Sequence, residues 1–541
     1  MQRLHPAARA MAQEVRSGAL TRREFLSRAT ALGVTAGAAY GLLGLAAPAR
    51  AEAAPKPGGT LRMEMETRPL CDPRAADWSQ ITNFTRGWLE YLVEYQPDGS
   101  LQGRLLDYWE TNADATDYRL HLRPGVQWNT GDPFTAADLM HNFDRWCETL
   151  AEGNVMAGQL GALQAEGRLR PGAVEILDPL TLRLRLSQPD ATLMAKLADY
   201  PAAIVHPSYE GGDPAATPIG TGPYMPEVVQ PGTRMVLVRN ASHRWWGTEI
   251  FGGPWLDRIE YLDLGPDPSD IAAAVAAGRI DATYQSVGGL VRLLDEAGWV
   301  RSEARSAATL AIRFNQRAEP YQDVRVRRAL QLAVDNAVVL ELGQGGHGTV
   351  GENHHVCPLH PDYAPLPPPE VNPAKAQRLL AEAGRAAHEF ELISLDDAWQ
   401  ALSCDAVAAQ LRDAGISITR TVLPGATYWD NWRSFPFSAT EWNMRPLGVQ
   451  VLALAYRSGG TWNETGFANA EFDARLDEAL AIRDADRRRE VMAELQQILR
   501  REGVLIQPYW RTIFRHTAPQ VRGAEAHPTF EHHHARWWID A

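Results

Sequence analysis

The most informative stretch of the sequence is Leu122-Arg-Pro-Gly-Val-Gln-Trp-Asn-Thr-Gly-Asp-Pro-Phe-Thr-Ala-Ala-Asp138. It begins at the end of residues 118–123, where apolar and polar side chains alternate as they do in a half-buried strand. Pro124 and Gly125 follow at once, and this pair marks a turn. The stretch therefore predicts a strand that ends in a tight turn.

Further strands and helices are predicted on both sides of this stretch. Alternation of the same kind occurs at residues 61–65, 180–186 and 235–239. Apolar residues at helical spacing predict helices at residues 323–340, 373–383, 407–414 and 472–499. Asp323 and Asn372 are placed to cap the first two, and the proline-dense residues 361–373 must form a loop. This alternation of strands and helices predicts an α/β chain built from lobes.

Composition limits the class of protein. The chain has 541 residues, and its composition is that of an ordinary globular protein. This length leaves room for about two to four domains. The net charge is −13 and there is no basic run, which argues against a nucleic-acid-binding protein. The four cysteines lie far apart in the sequence, so neither a disulfide scaffold nor a zinc ribbon fits.

The N-terminal residues read as an export signal. Arg22 and Arg23 precede Phe25-Leu26, and the charge-free residues 29–49 lead to Ala49-Arg50-Ala51, an A-x-A type cleavage site. The paired arginines resemble the twin-arginine signal. We therefore predict a signal peptide over residues 1–51, export by that pathway and a soluble periplasmic protein. Because the charge-free stretch is long enough to span a bilayer, an uncleaved membrane anchor is the alternative.

Catalytic motifs are absent from the sequence. It contains no G-x-S-x-G, no H-E-x-x-H and no G-x-x-x-x-G-K-[ST]. Gly343-Gln-Gly-Gly-His-Gly348 matches the dinucleotide pattern G-x-G-x-x-G as a string, but it follows a predicted helix instead of a strand. We therefore predict a flexible connection there, no catalytic residues and no cofactor.

Four segments, taken in order, resemble one known family. The opening stretch resembles the LRxGVxFxDGxPFTAxDV motif of the bacterial extracellular solute-binding proteins, family 5, the dipeptide, oligopeptide and nickel-binding group of ABC importers. Ile219-Gly-Thr-Gly-Pro-Tyr224 resembles the GTGPY motif of the same family. Phe314-Asn315 with residues 320–330 is similar to its FNxxxxPFxDxRVRxAL, and residues 372–384 are similar to its DPxKAxxLLxEAG.

The resemblance implies a periplasmic-binding-protein type II fold, in which a hinge joins two lobes and the first lobe carries an extra subdomain. On this sequence the subdomain takes residues 88–217 and the second lobe residues 313–508, with the first lobe made of residues 52–87, 218–312 and 509–541. The chain would cross between lobes near residues 313–315 and 507–511. The implied function is capture of a solute in the inter-lobe cleft and delivery to an inner-membrane ABC permease, by a monomer that is not an enzyme.

A carboxylate beside an aromatic ring is the predicted ligand contact. In peptide-binding members of the family, an aspartate in a motif like ADYxxP pairs with the α-ammonium group of the ligand. Residues 439–446 are the corresponding stretch, with Glu441 in the carboxylate position and Trp442 in the aromatic one. The stretch departs from the motif twice, because Glu replaces Asp and the proline comes one residue later. A carboxylate and an indole can hold an ammonium by a charge-assisted hydrogen bond and cation–π attraction. The ligand would be a peptide or another small amine-bearing solute. The alternative is that Glu441 pairs with Arg445 or another internal arginine.

Other residues of the second lobe complete the predicted pocket. Arg445 could pair with a ligand carboxylate, and Asn443 belongs to the same segment. Trp399 and Trp462 are predicted as aromatic walls, with Asn463 as a polar contact. Further candidates for the walls are Trp429 and Trp432.

A metal-based function is the alternative reading. His354, His355, Cys357 and His360 could hold a soft metal or haem iron, as in a nickel-chelate carrier, a haem carrier or a metal-dependent enzyme. These residues lie in a proline-rich loop without helical spacing, so we predict loop packing and no metal. His532-His533-His534 is predicted to be a surface tail.

Overall fold

The computed structural model of the chain describes residues 6–45, 54–482 and 485–540. The predicted cleavage site Ala49-Arg50-Ala51 lies outside these residues. Helices and strands alternate through the described chain, so the predicted α/β class is confirmed. None of the helices in these three ranges has the length and hydropathy of a membrane span.

The α-helices are distributed over the whole of the described chain. Those in the described chain are Pro6–Ser17, Arg22–Ala31, Ala36–Leu42, Ser79–Thr85, Ala136–Trp146, Val155–Gln159, Leu193–Lys196, Thr248–Phe251, Pro268–Ala276, Gly289–Glu296, Val324–Leu332, Asn336–Gln344, Pro373–Glu382, Ala398–Asp413, Gly425–Asn431, Gly448–Ala455, Ala470–Ala481 and Ala485–Arg501.

One large sheet organises the molecule. Ten of its twelve strands are hydrogen-bonded in the order Tyr224–Gln230, Arg234–Arg239, Arg258–Leu262, Thr60–Glu64, Ala282–Thr283, Tyr509–Thr517, Val300–Phe314, Phe437–Trp442, Phe390–Leu395 and Ile418–Leu423. The remaining two, Gly348–Val350 and Leu505–Ile506, pair with Tyr509–Thr517 and Val300–Phe314 respectively. The sheet therefore has an early half, from residues 60–283, and a late half, from residues 390–442.

Two long antiparallel strands join these halves. Val300–Phe314 pairs with Tyr509–Thr517 along most of its length and with Phe437–Trp442 at its end. Its last nine residues are all buried, as expected for a strand covered on both faces. The end of this strand is therefore the point at which both halves of the sheet approach each other.

The opening stretch of sequence belongs to a second, four-stranded sheet. Its strands lie in the order Leu106–Thr111, Asp117–Leu122, Thr181–Arg185 and Val174–Asp178. Gly125, at φ +78°, makes the predicted turn, and Thr135 caps the helix Ala136–Trp146 with a capping box. The predicted strands at 118–123 and 180–186 are confirmed.

The remaining strands form three small pairs. They are Val93–Tyr95 with Leu101–Gly103, Gln164–Ala165 with Arg168–Leu169, and Val521–Arg522 with Trp538–Ile539. Both strands of the last pair lie within the C-terminal segment of the chain.

Three of the helix predictions gave the wrong helix boundaries. Residues 323–340 form two helices, because Asp335 accepts a hydrogen bond from Ala337 N (2.9 Å) and begins a new helix at Asn336. The helix predicted at 407–414 is longer, Ala398–Asp413, and the region 472–499 holds two helices. Asn372 caps Pro373–Glu382 as predicted, and residues 361–372 form the predicted loop.

Three helices at the N-terminus form a small unit that packs on the body. Their own core includes Phe25, Leu26 and Tyr40. Tyr40 Oη donates to Asp98 Oδ2 (2.7 Å), and Arg23 Nη2 donates to Tyr95 Oη (3.1 Å). Farther along the chain, Arg489 forms an ion pair with Glu24. The unit therefore contacts both an early and a late part of the sequence.

Candidate functional site

The strand Phe437–Trp442 carries the predicted contact residues to the junction of the two halves. Leu310 lies opposite Glu441, and Thr309 lies opposite Trp442, on the long central strand. Because successive side chains of a strand point to opposite faces, Thr440 and Trp442 share one face and Glu441 takes the other.

Glu464 fixes the side chains of Thr440 and Trp442 on their face of the strand. Its carboxylate accepts hydrogen bonds from Trp442 Nε1 and Thr440 Oγ1 (both 2.7 Å). It also accepts one from Arg313 Nε (2.9 Å), and both side chains of this ion pair are almost fully buried. This anchor was missed at the sequence level, because no periodicity or motif marks it.

A small cavity lies against this strand, and we call it the aromatic cavity. It encloses about 30 Å³, room for about two water molecules. Five of the seven predicted contact residues line it: Glu441, Trp442, Asn443, Arg445 and Trp462. The other lining residues are Asp77, Trp78, Tyr200, Trp429, Trp432 and Thr440.

Glu441 forms a buried ion pair with Arg511, so the internal pairing weighed for it is observed, with a different arginine from Arg445. Arg511 Nη2 also donates to Gln285 Oε1 (2.7 Å). Burial raises the pKa of Glu441, and the charge of Arg511 opposes that rise. An ammonium group at this carboxylate would therefore have to share it with Arg511.

Two more carboxyl groups are coupled electrostatically to this site, because the charge of Glu441 acts on Asp397 and that of Asp397 acts on Glu64. Burial, and then the charge of Glu441, raises the pKa of Asp397 to about 7. Burial also raises the pKa of Glu64 to about 8. The folded protein therefore favours the neutral form of both carboxyl groups.

Arg445 is held by Asp199. Its Nε lies 3.0 Å from Asp199 Oδ1, and its guanidinium lies over the rings of Tyr200 (4.4 Å) and Trp462 (5.4 Å). The residue is 2% exposed, and its Nη2 has no hydrogen-bond partner in the described chain. Arg445 therefore has a donor left for a molecule in the cavity.

Asn443 connects the late half of the sheet to an early helix. Its Nδ2 donates to Ser79 Oγ (3.0 Å), and Ser79 Oγ lies 2.7 Å from Tyr284 Oη. A direct hydrogen bond thus joins a lining residue of the cavity to a residue that is distant in sequence.

Trp399 and Asn463 do not line the cavity. Trp399 is buried beneath Arg511, whose guanidinium lies 3.9 Å from its ring centroid. Asn463 Nδ2 donates to the carbonyl oxygens of Arg457 (2.9 Å) and Phe467 (2.8 Å). The structure thus places Trp399 behind the ion pair of Glu441 and Asn463 within a loop.

The wall opposite Trp442 contains residues that no motif marks. Trp78 and Trp429 meet edge to face with ring centroids 4.0 Å apart, and Arg68 lies over both rings at 4.3 and 4.7 Å. Burial raises the pKa of Asp77 beside them. Trp429 and Trp432 carried a sequence signal in their clustering, whereas Trp78 and Tyr200 lie in unrelated segments and had none.

The histidines of residues 354–360 pack inside the protein. His354, His355, Cys357 and His360 are all buried. His355 Nδ1 lies 2.7 Å from Tyr456 Oη, and His354 Nε2 lies 3.2 Å from Glu352 Oε2. In the described chain these residues do not form a group with the spacing of metal ligands.

The surface tail predicted for residues 532–534 is wrong. His532 and His534 are 2% and 4% exposed, and Tyr261 Oη lies 2.9 Å from His532 Nδ1 and 2.6 Å from His534 Nε2. These contacts with Tyr261 hold both histidines against the body of the protein. His527, Glu531 and His533 do approach one another as metal ligands would, but Arg86 lies beside Glu531 (3.5 Å) and would repel a cation.

The aromatic cavity lies beside the strand at which the two halves of the large sheet meet, and aromatic rings and ion-paired side chains line it. The family model "Bacterial extracellular solute-binding proteins, family 5 Middle" matches residues 100–464. The chain belongs to this family, whose members are periplasmic solute-binding proteins of ABC importers. The predictions of family, fold type and transport function are confirmed.

Known relatives are similar over most of their length. Heme-binding protein A of Haemophilus influenzae is 26% identical over 475 residues, which cover 80% of this chain and 83% of that protein. The periplasmic oligopeptide-binding protein OppA of the same organism is 23% identical, with coverage of 86% and 90%. The structure of the Escherichia coli murein tripeptide binding protein MppA matches with a TM-score of 0.80 at 21% identity, covering 90% of this chain and 99% of that one. These relatives are binding proteins by name, and none is named as an enzyme.

Proposed function

We propose that the aromatic cavity is the closed form of the ligand cleft, and that it captures a peptide or another small amine-bearing solute for delivery to an ABC permease. This proposal rests on the fact that the residues lining the cavity come from different parts of the sequence. Trp78, Tyr200 and Trp442 come from three separate segments, and all three line one space.

The proposed lobes follow from the same walls. Trp78 lies in the first lobe (residues 52–87, 218–312 and 509–541), Tyr200 in the subdomain (residues 88–217) and Trp442 in the second lobe (residues 313–508). The strands Val300–Phe314 and Tyr509–Thr517 span both proposed crossings. The protein would work as a monomer, with both proposed lobes supplied by one chain.

Closure explains the small volume of the cavity. A space of about 30 Å³ admits no peptide, so a ligand has to enter while the lobes are apart and be enclosed as they close. Trp442 and Trp462 would then supply flat apolar walls, and Arg445 Nη2 a hydrogen bond to an acceptor on the ligand. Trp399 and Asn463 would support these contacts from behind.

The cavity walls favour an organic solute over a bare metal ion. No histidine or cysteine is among the lining residues within the described chain, and the lining carboxylates Glu441 and Asp77 lie near Arg511 and Arg68 respectively. A nickel or haem cargo would have to bring its own ligands to the metal. Metal analysis of the purified protein separates these cases, since a stoichiometric transition metal would contradict an organic solute.

A thermal-shift screen of peptides, amino acids, opines and polyamines tests the proposal. A ligand at a hundred times its Kd should add about 2.7 kcal/mol to the free energy of unfolding. For each hit, Glu441→Gln should weaken binding about thirtyfold or more if an ammonium group lies at that carboxylate. The exposed Glu249→Gln is the matched control. Unchanged affinity of the Glu441 variant for every hit would rule out the ammonium contact.

We also propose that residues 1–51 are a twin-arginine signal peptide. The paired Arg22 and Arg23 and the A-x-A site support it. Replacing both arginines by lysine should keep the protein out of the periplasmic fraction of the cell, whereas lysine at Arg9 should not. Normal export of the double variant would contradict this pathway.

A further inference from the structure

A second cavity lies on the proposed second lobe and shares no lining residue with the aromatic cavity. It encloses about 260 Å³. Its walls come from the helix Val324–Leu332, the end of the helix Ala485–Arg501 and the proline-rich loop, with Arg328, Asn353, Pro368, Arg500 and Arg501 among the lining residues. We call it the arginine cavity.

Asn353 presents a fixed donor to this cavity. The residue is 4% exposed, and its Oδ1 accepts hydrogen bonds from Asn336 Nδ2 (3.0 Å) and from Gln507 N (2.8 Å). Because both of these partners are donors, they fix the orientation of the amide and leave Nδ2 at the opposite side. In the described chain no acceptor is bonded to Asn353 Nδ2.

Two arginines of the cavity, Arg328 and Arg500, form no ion pair with any of the described residues. Arg328 forms no ion pair within residues 6–45, 54–482 and 485–540, although the charge of Glu370 reaches it. Arg500 Nη1 donates to the carbonyl oxygen of Pro367 (2.6 Å), which fixes the guanidinium without neutralising it. Burial lowers the pKa of Arg500, and the charge of Glu352 opposes that fall, although Arg500 forms no ion pair within the described residues.

The other charged groups of the cavity are already paired. Arg501 bonds Glu471 (2.8 Å), and Glu370 accepts from Lys375 (2.6 Å). The carboxylate of Glu370 is therefore neutralised by a lysine, and Arg328 and Arg500 remain as the free positive charges. Guanidinium groups and an amide N–H₂ that converge on one space are the donors that oxyanions take in proteins.

We propose that the arginine cavity is a binding site for a small multivalent oxyanion, held by Arg328, Arg500 and Asn353 Nδ2. The site is independent of the ligand cleft. It adjoins the return crossing of the chain, because Gln507 N bonds the same Asn353 whose amide faces the anion. An anion there would tie the proline-rich loop to the segment that leads back to the first lobe.

Calorimetric titration of the full chain with inorganic pyrophosphate, phosphate and citrate, at constant ionic strength, tests this site. We expect saturable one-site binding of at least one of them. Arg328→Ala and Arg500→Ala should each weaken it at least about tenfold, as expected for loss of a charge-assisted hydrogen bond. Arg328→Lys should retain more affinity than Arg328→Ala, and the ranking of phosphates against citrate identifies the class of oxyanion.

Arg378→Ala is the matched control, because Arg378 is an exposed arginine on the neighbouring helix Pro373–Glu382 and does not line the cavity. Thermal melts without anion verify that each variant is folded. No saturable binding of any of the three anions, or equal binding by the Arg328, Arg500 and Arg378 variants, would overturn the proposal. Neither result would bear on the solute cleft, whose ligands are measured separately.

Discussion

At the scale of single residues, Glu464 accepts hydrogen bonds from Arg313, Thr440 and Trp442 in a fully buried position. Removing its charge leaves Arg313 buried without a counter-ion. We therefore expect Glu464→Gln to lower the free energy of unfolding by about 3–5 kcal/mol. Urea denaturation followed by tryptophan fluorescence measures this difference.

The exposed pair Arg244–Glu249 provides the comparison for that measurement. Both side chains are largely in solvent, so Glu249→Gln should change stability by less than about 0.5 kcal/mol. Similar losses for the two variants would mean that Glu464 is not the anchor described above.

The raised pKa values of Asp397 and Glu64 make stability depend on pH. A carboxyl with a folded-state pKa of about 7, against 3.8 for the ordinary group, keeps its proton in the folded protein after the unfolded chain has lost it. The stabilising contribution is therefore complete below about pH 4 and is lost as pH rises through 7. Asp397→Asn should flatten this slope and stabilise the protein at pH 8 by at least about 1 kcal/mol.

Denaturation curves at pH 4, 6 and 8 check this prediction. The exposed Asp213→Asn is the control and should leave the slope unchanged. A slope for Asp397→Asn equal to that of the unchanged protein would show that Asp397 titrates normally.

Some site residues could be predicted from their neighbours in the sequence, and others could not. Glu441, Trp442 and Arg445 could be placed because residues 439–446 resemble a motif. Asp77 and Tyr200 reach the cavity only through tertiary packing, and a single sequence does not report which distant segments meet. The partner of Glu441 was unpredictable for the same reason, since Arg511 lies seventy positions farther along the chain.

At the scale of elements, the segment Ile219–Tyr224 is a close backbone contact. A Cβ on Gly220 would lie 1.9 Å from the carbonyl oxygen of Trp88, which is part of the rigid main chain. Gly220→Ala should therefore destabilise the protein by at least about 2 kcal/mol. Thermal or urea denaturation gives the value.

Gly158 offers a matched control, because it lies in the helix Val155–Gln159 and a Cβ there meets nothing within 4 Å. Gly158→Ala should be neutral or stabilising by up to about 1 kcal/mol. Equal effects of the two substitutions would show that the segment 219–224 tolerates a side chain.

Strands were easier to predict than helix ends. Leu182 and Leu184 are fully buried, as the alternation at residues 180–186 requires. The predicted helix at 323–340 failed because its apolar stripe continues across Asp335, where a local cap restarts the backbone. Periodicity records which face is buried, but it does not record where the backbone hydrogen bonds are interrupted.

At the scale of the whole molecule, Asp199 links the proposed subdomain to the second lobe. It pairs with Arg445 and accepts from Gln450 Nε2 (3.3 Å), besides accepting from its neighbour Gln159 (3.0 Å). Asp199→Asn should weaken ligand binding at least about tenfold and shift the protein toward an open form. Small-angle scattering should report a larger radius of gyration for the variant.

Asp213→Asn serves as the control here as well, since Asp213 is exposed in the same proposed subdomain. If both variants bind and scatter like the unchanged protein, the contacts of Asp199 do not hold the lobes together.

The docked N-terminal unit has a consequence for trafficking. Arg23 is bonded to Tyr95 and to the carbonyl oxygen of Pro97, while the guanidinium of Arg22 lies 4.7 Å from the ring centroid of Tyr40. Under the proposed twin-arginine export, a translocase that binds Arg22 and Arg23 would first have to separate them from the rest of the folded protein. Tight docking of the N-terminal helices would therefore oppose recognition of the two arginines. Weakening the Tyr40–Asp98 hydrogen bond should make Arg22 and Arg23 more accessible to the translocase.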